Sequence, residues 1–286
     1  MQLTWQLATL PNHCQNCYGA WMLLARKNGL TVRLSENPAE VRAAQRLRYQ
    51  IFYEELSARA NDQAAKDRLD ADRFDALCDH LMVIKDGDIS GEPATTVNDG
   101  KVVGTYRLLR QEVAEANGGF YSASAFDLEP LLKRKSELRF LEVGRSCVAQ
   151  PFRSKPVAEL LWQGIWNYVR HYRLDVMLGC ASLEGTDPEE LADELSFLAQ
   201  VAAAPAEWRV KAKSRHQVKM ATKAFAGVDQ KAVLRKLPAL IKAYLRLGCY
   251  IGEGAVIDCQ FNTTDVLIVQ PVSVINPKYF NHYGAP

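Results

Sequence analysis

Glu142 and Arg145 stand three residues apart in the run Leu141-Glu142-Val143-Gly144-Arg145-Ser146-Cys147-Val148. A basic segment, Phe152-Arg153-Ser154-Lys155, follows before a stretch of helical apolar period begins. These patterns predict a strand, a loop and a helix in succession. A strand that turns through a basic loop into a helix sets a carboxylate beside a helix N-terminus, where aligned N–H groups attract phosphate. The layout suits acyl transfer. Glu142 is the candidate general base with Arg145 near it, and the backbone N–H groups of Cys147 and Val148 are candidate donors to a tetrahedral oxyanion. Each residue also has a plainer reading. Glu142 can pair with Arg145 and simply brace the strand, although i and i+3 side chains leave a regular strand by opposite faces, so a direct pair requires a bulge at Gly144. Cys147 can be an acylated nucleophile, but its strand position and its neighbour Val148 favour packing.

Composition bounds the setting of that chemistry. The chain has 286 residues, of which 48% are hydrophobic and 24% charged, so it is an ordinary globular protein able to bury a sizeable core. A net charge of +2 conceals a local basic run, Arg209, Lys211, Lys213, Arg215, Lys219 and Lys223, interrupted by little beyond Lys and Arg's neutral neighbours. Such a run is either a solvated face or a surface for an acidic partner, and nothing in it points to nucleic acid. The seven cysteines are odd in number and most lie in or beside apolar runs, which favours reduced thiols and a cytoplasmic setting. Cys14 and Cys17 form a C-x-x-C without a second pair at zinc-like spacing, so no metal is expected. Trp21-Met22-Leu23-Leu24-Ala25 is too short to span a bilayer and follows no cationic signal region.

The elements that must position Glu142 can be read along the chain. Residues 1–30 show no sustained period and read as an N-terminal extension with one short helix. A strand is expected over 31–35, then a helix opened by Asn37-Pro38 with Val41, Ala44, Leu47, Ile51 and Phe52 on one face. Strands at 79–85 and 101–109 flank a turn-rich loop, and a strand at 138–148 leads into a helix at 157–172. A buried strand at 174–180, an acidic helix at 188–199, the basic run, one helix at 231–247 and two closing strands complete the chain. Interleaving of this kind predicts an α/β (α+β mixed) fold, a single central twisted sheet flanked by helices.

The Glu142 region resembles the central strand, loop and helix of the N-acetyltransferase-like superfamily, in which the helix opening cradles the pantetheine arm of an acyl thioester. Phe152-Arg153-Ser154-Lys155-Pro156 contains no glycine, which departs from the superfamily's glycine-rich loop and argues against a donor held mainly by the pyrophosphate of coenzyme A. Four motifs in order, Arg48-Tyr49-Gln50-Ile51-Phe52-Tyr53-Glu54-Glu55, Asp72-Arg73-Phe74-Asp75, Tyr106-Arg107-Leu108-Leu109 and Glu142-Val143-Gly144-Arg145-Ser146, resemble the acyl-homoserine-lactone (autoinducer) synthases, which draw on acyl carrier protein. The stretches Ala181-Ser182-Leu183-Glu184-Gly185, 237–248 and 258–265 resemble a different branch, the ornithine-acyl carrier protein N-acyltransferases of ornithine-lipid synthesis, long called hemolysin-like.

That resemblance implies one acyltransferase domain over 31–286 with a helical C-terminal elaboration. It also implies transfer of a 3-hydroxylated acyl chain from acyl carrier protein to the α-amino group of ornithine, with no further cofactor. Glutamine, glycine or tyrosine as acceptor, or a non-catalytic acyl-carrier- or membrane-binding module, are the competing readings. Arg48, Phe52, Asp72, Asp75, Arg107 and Ser146 are expected to organise the acyl and amino-acid pocket, or to form a salt-bridge network that orders the first helix against the sheet. Val148, Phe152, Arg153, Ser154 and Lys155 are expected at the pantetheine and acyl-carrier entrance. His80 reads as a satisfied buried histidine ahead of a catalytic one. The helix at 231–247 carries Lys231, Arg235, Lys236, Lys242 and Arg246 outside an apolar stripe, which suits core packing, with peripheral contact to anionic lipid on the inner membrane as the alternative.

Overall fold

The computed structural model describes residues 23–87, 95–97, 100–153, 155–213 and 216–276. Its strands are β1 (Leu23–Lys27), β2 (Leu30–Leu34), β3 (Asp79–Asp86), β4 (Thr96–Val97), β5 (Gly100–Arg110), β6 (Phe140–Val148), β7 (Val176–Glu184), β8 (Gln217–Val218), β9 (Tyr250–Asp258) and β10 (Thr263–Pro271). The helices are α1 (Pro38–Tyr49), α2 (Asp62–Asp67), α3 (Gln111–Ala116), α4 (Glu129–Arg134), α5 (Lys155–Tyr172), α6 (Ala192–Val201), α7 (Gln230–Lys236) and α8 (Ala239–Leu247).

All ten strands form one sheet in the order β1-β2-β3-β5-β6-β7-β10-β9-β8, with β4 on the outer part of β5. β6 and β7 pair in parallel and the other neighbours are antiparallel. A parallel pair needs a long crossover, and α5 supplies it. Gly164 lets α5 lie close to the sheet, because a Cβ there would come within 2.7 Å of Val32 Cγ1. On the opposite face α1 buries Ala43, Ala44 and Leu47 against Met82, Ile84 and Val102. Two apolar layers thus clamp the sheet and fix the strands that carry the site.

Asn37 and Pro38 open α1 as the sequence indicates. The Asn37 side chain accepts the N–H groups of Ala39 at 3.0 Å and Glu40 at 3.1 Å, and Pro38 occupies the first turn, where its missing N–H is no loss. The helix then widens into a π-helical turn over Gln50–Glu55, a form that recurs at functional sites. Two expectations are corrected. The sheet begins at Leu23, inside the segment read as an extension, because β1 and β2 form a hairpin; Met1 to Met22, with Cys14 and Cys17, lie outside the described residues. The single helix expected over 231–247 is two, α7 and α8, since Pro238 cannot donate to the ladder and its extended backbone ends α7 and starts α8.

Candidate active site

The decisive feature is where β6 and β7 part. They pair only from Phe140 opposite Val176 to Glu142 opposite Leu178, after which β7 continues beside β10 and β6 beside β5. At the parting point a Cβ on Gly179 would lie 2.2 Å from the Val143 carbonyl oxygen, so only glycine allows the strands to touch there before they diverge. A cavity of about 610 Å³ opens in the splay, within the range of small-molecule sites.

Glu142 lies at the head of this cavity, 5% exposed. Its carboxylate accepts the backbone N–H groups of Tyr121 and Ser122, each at 2.7 Å. Burial raises its pKa above the usual carboxylate range, and the two N–H groups and Ser122 offset that only in part. Arg145 shares the cavity because the strand is bulged. Thr105 to Arg107 on β5 oppose Cys147 to Gly144 on β6, one residue more, and the residue in the left-handed region is Arg145 itself at φ +49°. Such a backbone costs a non-glycine residue about 1–2 kcal/mol. Glu142 and Arg145 consequently line one space without pairing: the arginine turns to Asp70 at 3.2 Å and Asp72 at 3.4 Å.

At the cavity wall and behind it, three arginines and three aspartates neutralise one another. Arg48 is fully buried and donates to Asp70 Oδ2 and to Asp75 Oδ1, each at 2.8 Å, and to the Asp70 carbonyl. Arg107 reaches Asp72 at 2.6 Å. Asp72 and Asp75 cap the short 3-10 turn Arg73–Ala76 reciprocally, with Asp75 accepting the Asp72 N–H at 2.8 Å and Asp72 accepting that of Phe74 at 2.8 Å. Burial alone would raise Asp75, but the Arg48 and Arg107 guanidinium groups outweigh it and hold the carboxyl low. Arg48, Asp72 and Asp75 therefore stand behind the lining, while Phe52, Arg107 and Ser146 belong to it. His80 Nε2 lies 2.9 Å from the Asp75 carbonyl oxygen, and burial lowers its pKa.

The structure separates the roles expected of Cys147 and Val148. The Cys147 side chain belongs to the apolar cluster with Ala44, Leu47 and Met82, and burial pushes its thiol up to about 12, which places it in the core and disfavours the thiolate. Ala149 N–H donates to the Val103 carbonyl at 2.8 Å, and the Val148 carbonyl accepts from Arg153 Nε at 2.9 Å. By alternation Cys147 N–H points into the β5 ladder, whereas Val148 N–H points to the opposite edge, toward the splay. Arg153 also forms an ion pair with Glu55, at 2.7 Å through its Nη2, and Phe152 packs half-buried against the core. Ser154 and the Lys155 side chain lie outside the described residues.

Several lining groups are not among the residues the sequence singled out. Tyr121 presents its ring edge-on to Phe74 at 5.5 Å and lies under the Arg145 guanidinium at 5.0 Å. The Tyr106 hydroxyl shares hydrogen bonds with Ser146 and Tyr244, and Pro238 and Leu240 bring the α7–α8 break to the same wall. Asp258 and Asp265 close the far end. Tyr106, Asp258 and Asp265 fall inside motifs that carried the resemblance, but Asp70 and Tyr121 have no local signal beyond an acidic repeat and a tyrosine after Gly118-Gly119.

Comparison with known proteins agrees with this architecture. An acetyltransferase (GNAT) domain family matches residues 47–163. The L-ornithine Nα-acyltransferase of Rhizobium meliloti (strain 1021) is 46% identical over 263 residues, 92% of this chain and 87% of that protein. That of Brucella abortus (strain 2308) is 44% identical over 268 residues, 93% of each chain. Among solved structures, FeeM, an N-acyl amino acid synthase from uncultured soil microbes, gives a TM-score of 0.48 at 11% identity, covering 88% of this chain and 98% of that one. The AHL synthase LasI gives 0.47 at 11%, covering 90% and 95%. The fold is the mixed α/β, N-acetyltransferase-like one, and the protein is an N-acyltransferase, which requires an acyl donor and an amino-acid acceptor. With relatives this similar over nearly its whole length, the chain belongs to the L-ornithine Nα-acyltransferase family.

Proposed function

We propose that the protein moves a 3-hydroxylated acyl chain from acyl carrier protein to the α-amino group of L-ornithine, giving a lyso-ornithine lipid. The acceptor follows the name its relatives carry. The donor follows the glycine-free loop after β6 and the resemblance to carrier-dependent synthases. The chemistry rests on one observation, the buried Glu142 carboxylate held by two backbone N–H groups at the head of the splay.

The pantetheine arm enters between β6 and β7 past Phe152 and Arg153, and its thioester carbonyl accepts the Val148 N–H. Glu142, directly or through one water, takes a proton from the α-ammonium, and the freed amine attacks the carbonyl carbon. Arg145 and Arg107 face the amino acid's carboxylate. The new C–N bond forms, the oxyanion collapses, the C–S bond breaks, and the pantetheine thiolate leaves with the second proton, which the nitrogen gives up as it becomes an amide. No covalent enzyme intermediate is needed. The acyl chain runs along Tyr244, Pro238 and Leu240. Acyl carrier protein, being acidic, docks against basic residues at the entrance, with Arg209, Lys211 and Lys213 as a further basic surface. Because the product is amphiphilic, the exposed α7 face with Lys231, Arg235 and Lys236 rests on anionic lipid without crossing the bilayer; no described helix is long and apolar enough to span one.

Replacing Glu142 by Gln tests the reading. Thermal unfolding should be near that of the wild type, while acyl-ornithine formed from acyl carrier protein, read by mass, should drop about a hundredfold or more. A folded variant with nearly full activity would remove Glu142 from the mechanism.

A further inference from the structure

The charges that face the cavity do not balance. Arg107 and Arg145 are its lining cations, and both are committed to Asp70, Asp72 and Asp75 behind the wall. Glu55 is paired with Arg153. Glu142, Glu184, Asp258 and Asp265 also face the space, Glu184 exposed to solvent, and none of them has an ion-pair partner among the described residues. Glu142 is buried and Asp258 and Asp265 are half-buried; carboxylates drawn out of water without a counter-ion are costly, and sites keep them for a cationic ligand or a proton.

The unpaired carboxylates are not in one place. Glu142 is on β6, and Asp265 is on β10, opposite Ser182, with β7 between them. Glu142 is opposite Leu178 and Asp265 opposite Ser182, so two strand spacings and four residues along β7 put their backbones roughly 15 Å apart. A single ammonium, which reaches acceptors only about 3 Å away, does not serve both. Asp265 is also built differently from Asp258. Asp258 Oδ1 is spent on the turn, accepting the N–H groups of Gln260 at 2.8 Å and Phe261 at 3.0 Å. Among the described residues Asp265 accepts from two hydroxyls, that of Thr263 at 3.0 Å and that of Ser182. A smaller cavity of about 170 Å³ adjoins the main one here, and Tyr121, Cys180, Asp258 and Asp265 border both.

We infer that Asp265, supported by Asp258, is the specificity determinant that binds the side-chain ammonium of a diamino acid while Glu142 serves its α-nitrogen. This deepens the function proposed above and rests on it. Independently of the geometry, burial and the nearby Asp258 raise the Asp265 pKa to about 6 despite Ser182, Thr263 and Arg145, the behaviour of a carboxyl that lacks its cation.

The test compares L-ornithine with L-norvaline, which has the same carbon chain and no terminal amine, at a fixed acyl-carrier-protein donor. Wild type should prefer ornithine. Asp265→Asn should lose about tenfold to a hundredfold more kcat/KM on ornithine than on norvaline, chiefly through KM, as expected for removal of a charged hydrogen bond. Asp265→Glu should restore part of the preference. Ornithine alone should also raise the unfolding temperature of wild type more than norvaline does, and Asp265→Asn should abolish the difference. Equal losses on both substrates, or a wild type indifferent to the terminal amine, would overturn this inference while leaving the acylation of ornithine standing. A wild type that acylates no ornithine at all would overturn both.

Discussion

At the residue scale, Glu142 and Asp265 are both carboxyls with raised pKa values, but their surroundings assign them different work. Glu142 is pinned by the N–H groups of Tyr121 and Ser122, so it holds a fixed position from which to take a proton. Asp265 is tied to the hydroxyls of Thr263 and Ser182 and lies within electrostatic reach of Asp258 and Arg145. Its rise from the ordinary 3.8 to about 6 has a consequence for stability: the folded state binds the proton more tightly than the unfolded chain. The associated stability is therefore present below about pH 4 and is lost as pH climbs through about 6. Asp265→Asn should accordingly match wild type in thermal unfolding near pH 4 and unfold at a higher temperature than wild type at pH 7. Parallel melting curves across that range would show that Asp265 is not an uncompensated charge. Arg145 illustrates a second residue-level point, since its left-handed backbone is tolerated where Asp70, Asp72 and Tyr121 fix its side chain.

At the scale of elements, the site is made by two interruptions of regular structure. One is the bulge in β6, which brings Glu142 and Arg145 to the same space. The other is the loss of β6–β7 pairing after Glu142, which leaves the Val148 edge open. Gly179 governs the second. Gly179→Ala would drive a methyl into the Val143 carbonyl oxygen, so the strands must separate, at a cost of about 1–3 kcal/mol. Urea unfolding should shift to lower concentration, and activity should fall by more than stability alone explains because the head of the cavity moves. Gly144→Ala is the control, since nothing lies within 4 Å of a Cβ there; its urea midpoint should stay close to wild type. A Gly179→Ala protein with both properties intact would show that the strands can part without loss.

At the scale of the whole molecule, the buried Arg48, Arg107 and Arg145 network joins α1 to the 3-10 turn, β5 and β6. Removing one member of such a buried set typically costs about 3–5 kcal/mol. The outer face presents another whole-molecule feature. On α7, Leu234 is 44% exposed beside Lys231 and Arg235, and the α7–α8 break reaches the cavity through Pro238. Liposome co-sedimentation should therefore depend on anionic lipid and weaken with salt, because surface charges are screened over about 8 Å at physiological strength. Changing Lys231, Arg235 and Lys236 to Glu should release the protein. Binding indifferent to lipid charge, salt and these changes would exclude electrostatic attachment.

The sequence by itself determined the order and type of most elements, because Asn37-Pro38, the apolar run Leu81-Met82-Val83-Ile84 and the apolar period of α5 are local signals. It also placed Glu142, Phe52, Arg107, Arg145 and Ser146 in one candidate site, all of which line the cavity. Tertiary structure decided what depends on distant partners. The β1–β2 hairpin needed β3 beside it to turn a weakly patterned segment into a strand. Asp70 and Tyr121 entered the site only because Arg48, Arg145 and the Glu142 carboxylate meet them across long stretches of chain. Cys147 and Val148 adjoin in sequence, yet the ladder sends one inward and the other to the open edge. Asp265 lay in a motif without a role until β7, β9 and β10 enclosed it. Residue types and local period are written in the chain, whereas the balance of charge around a cavity is a property of packing.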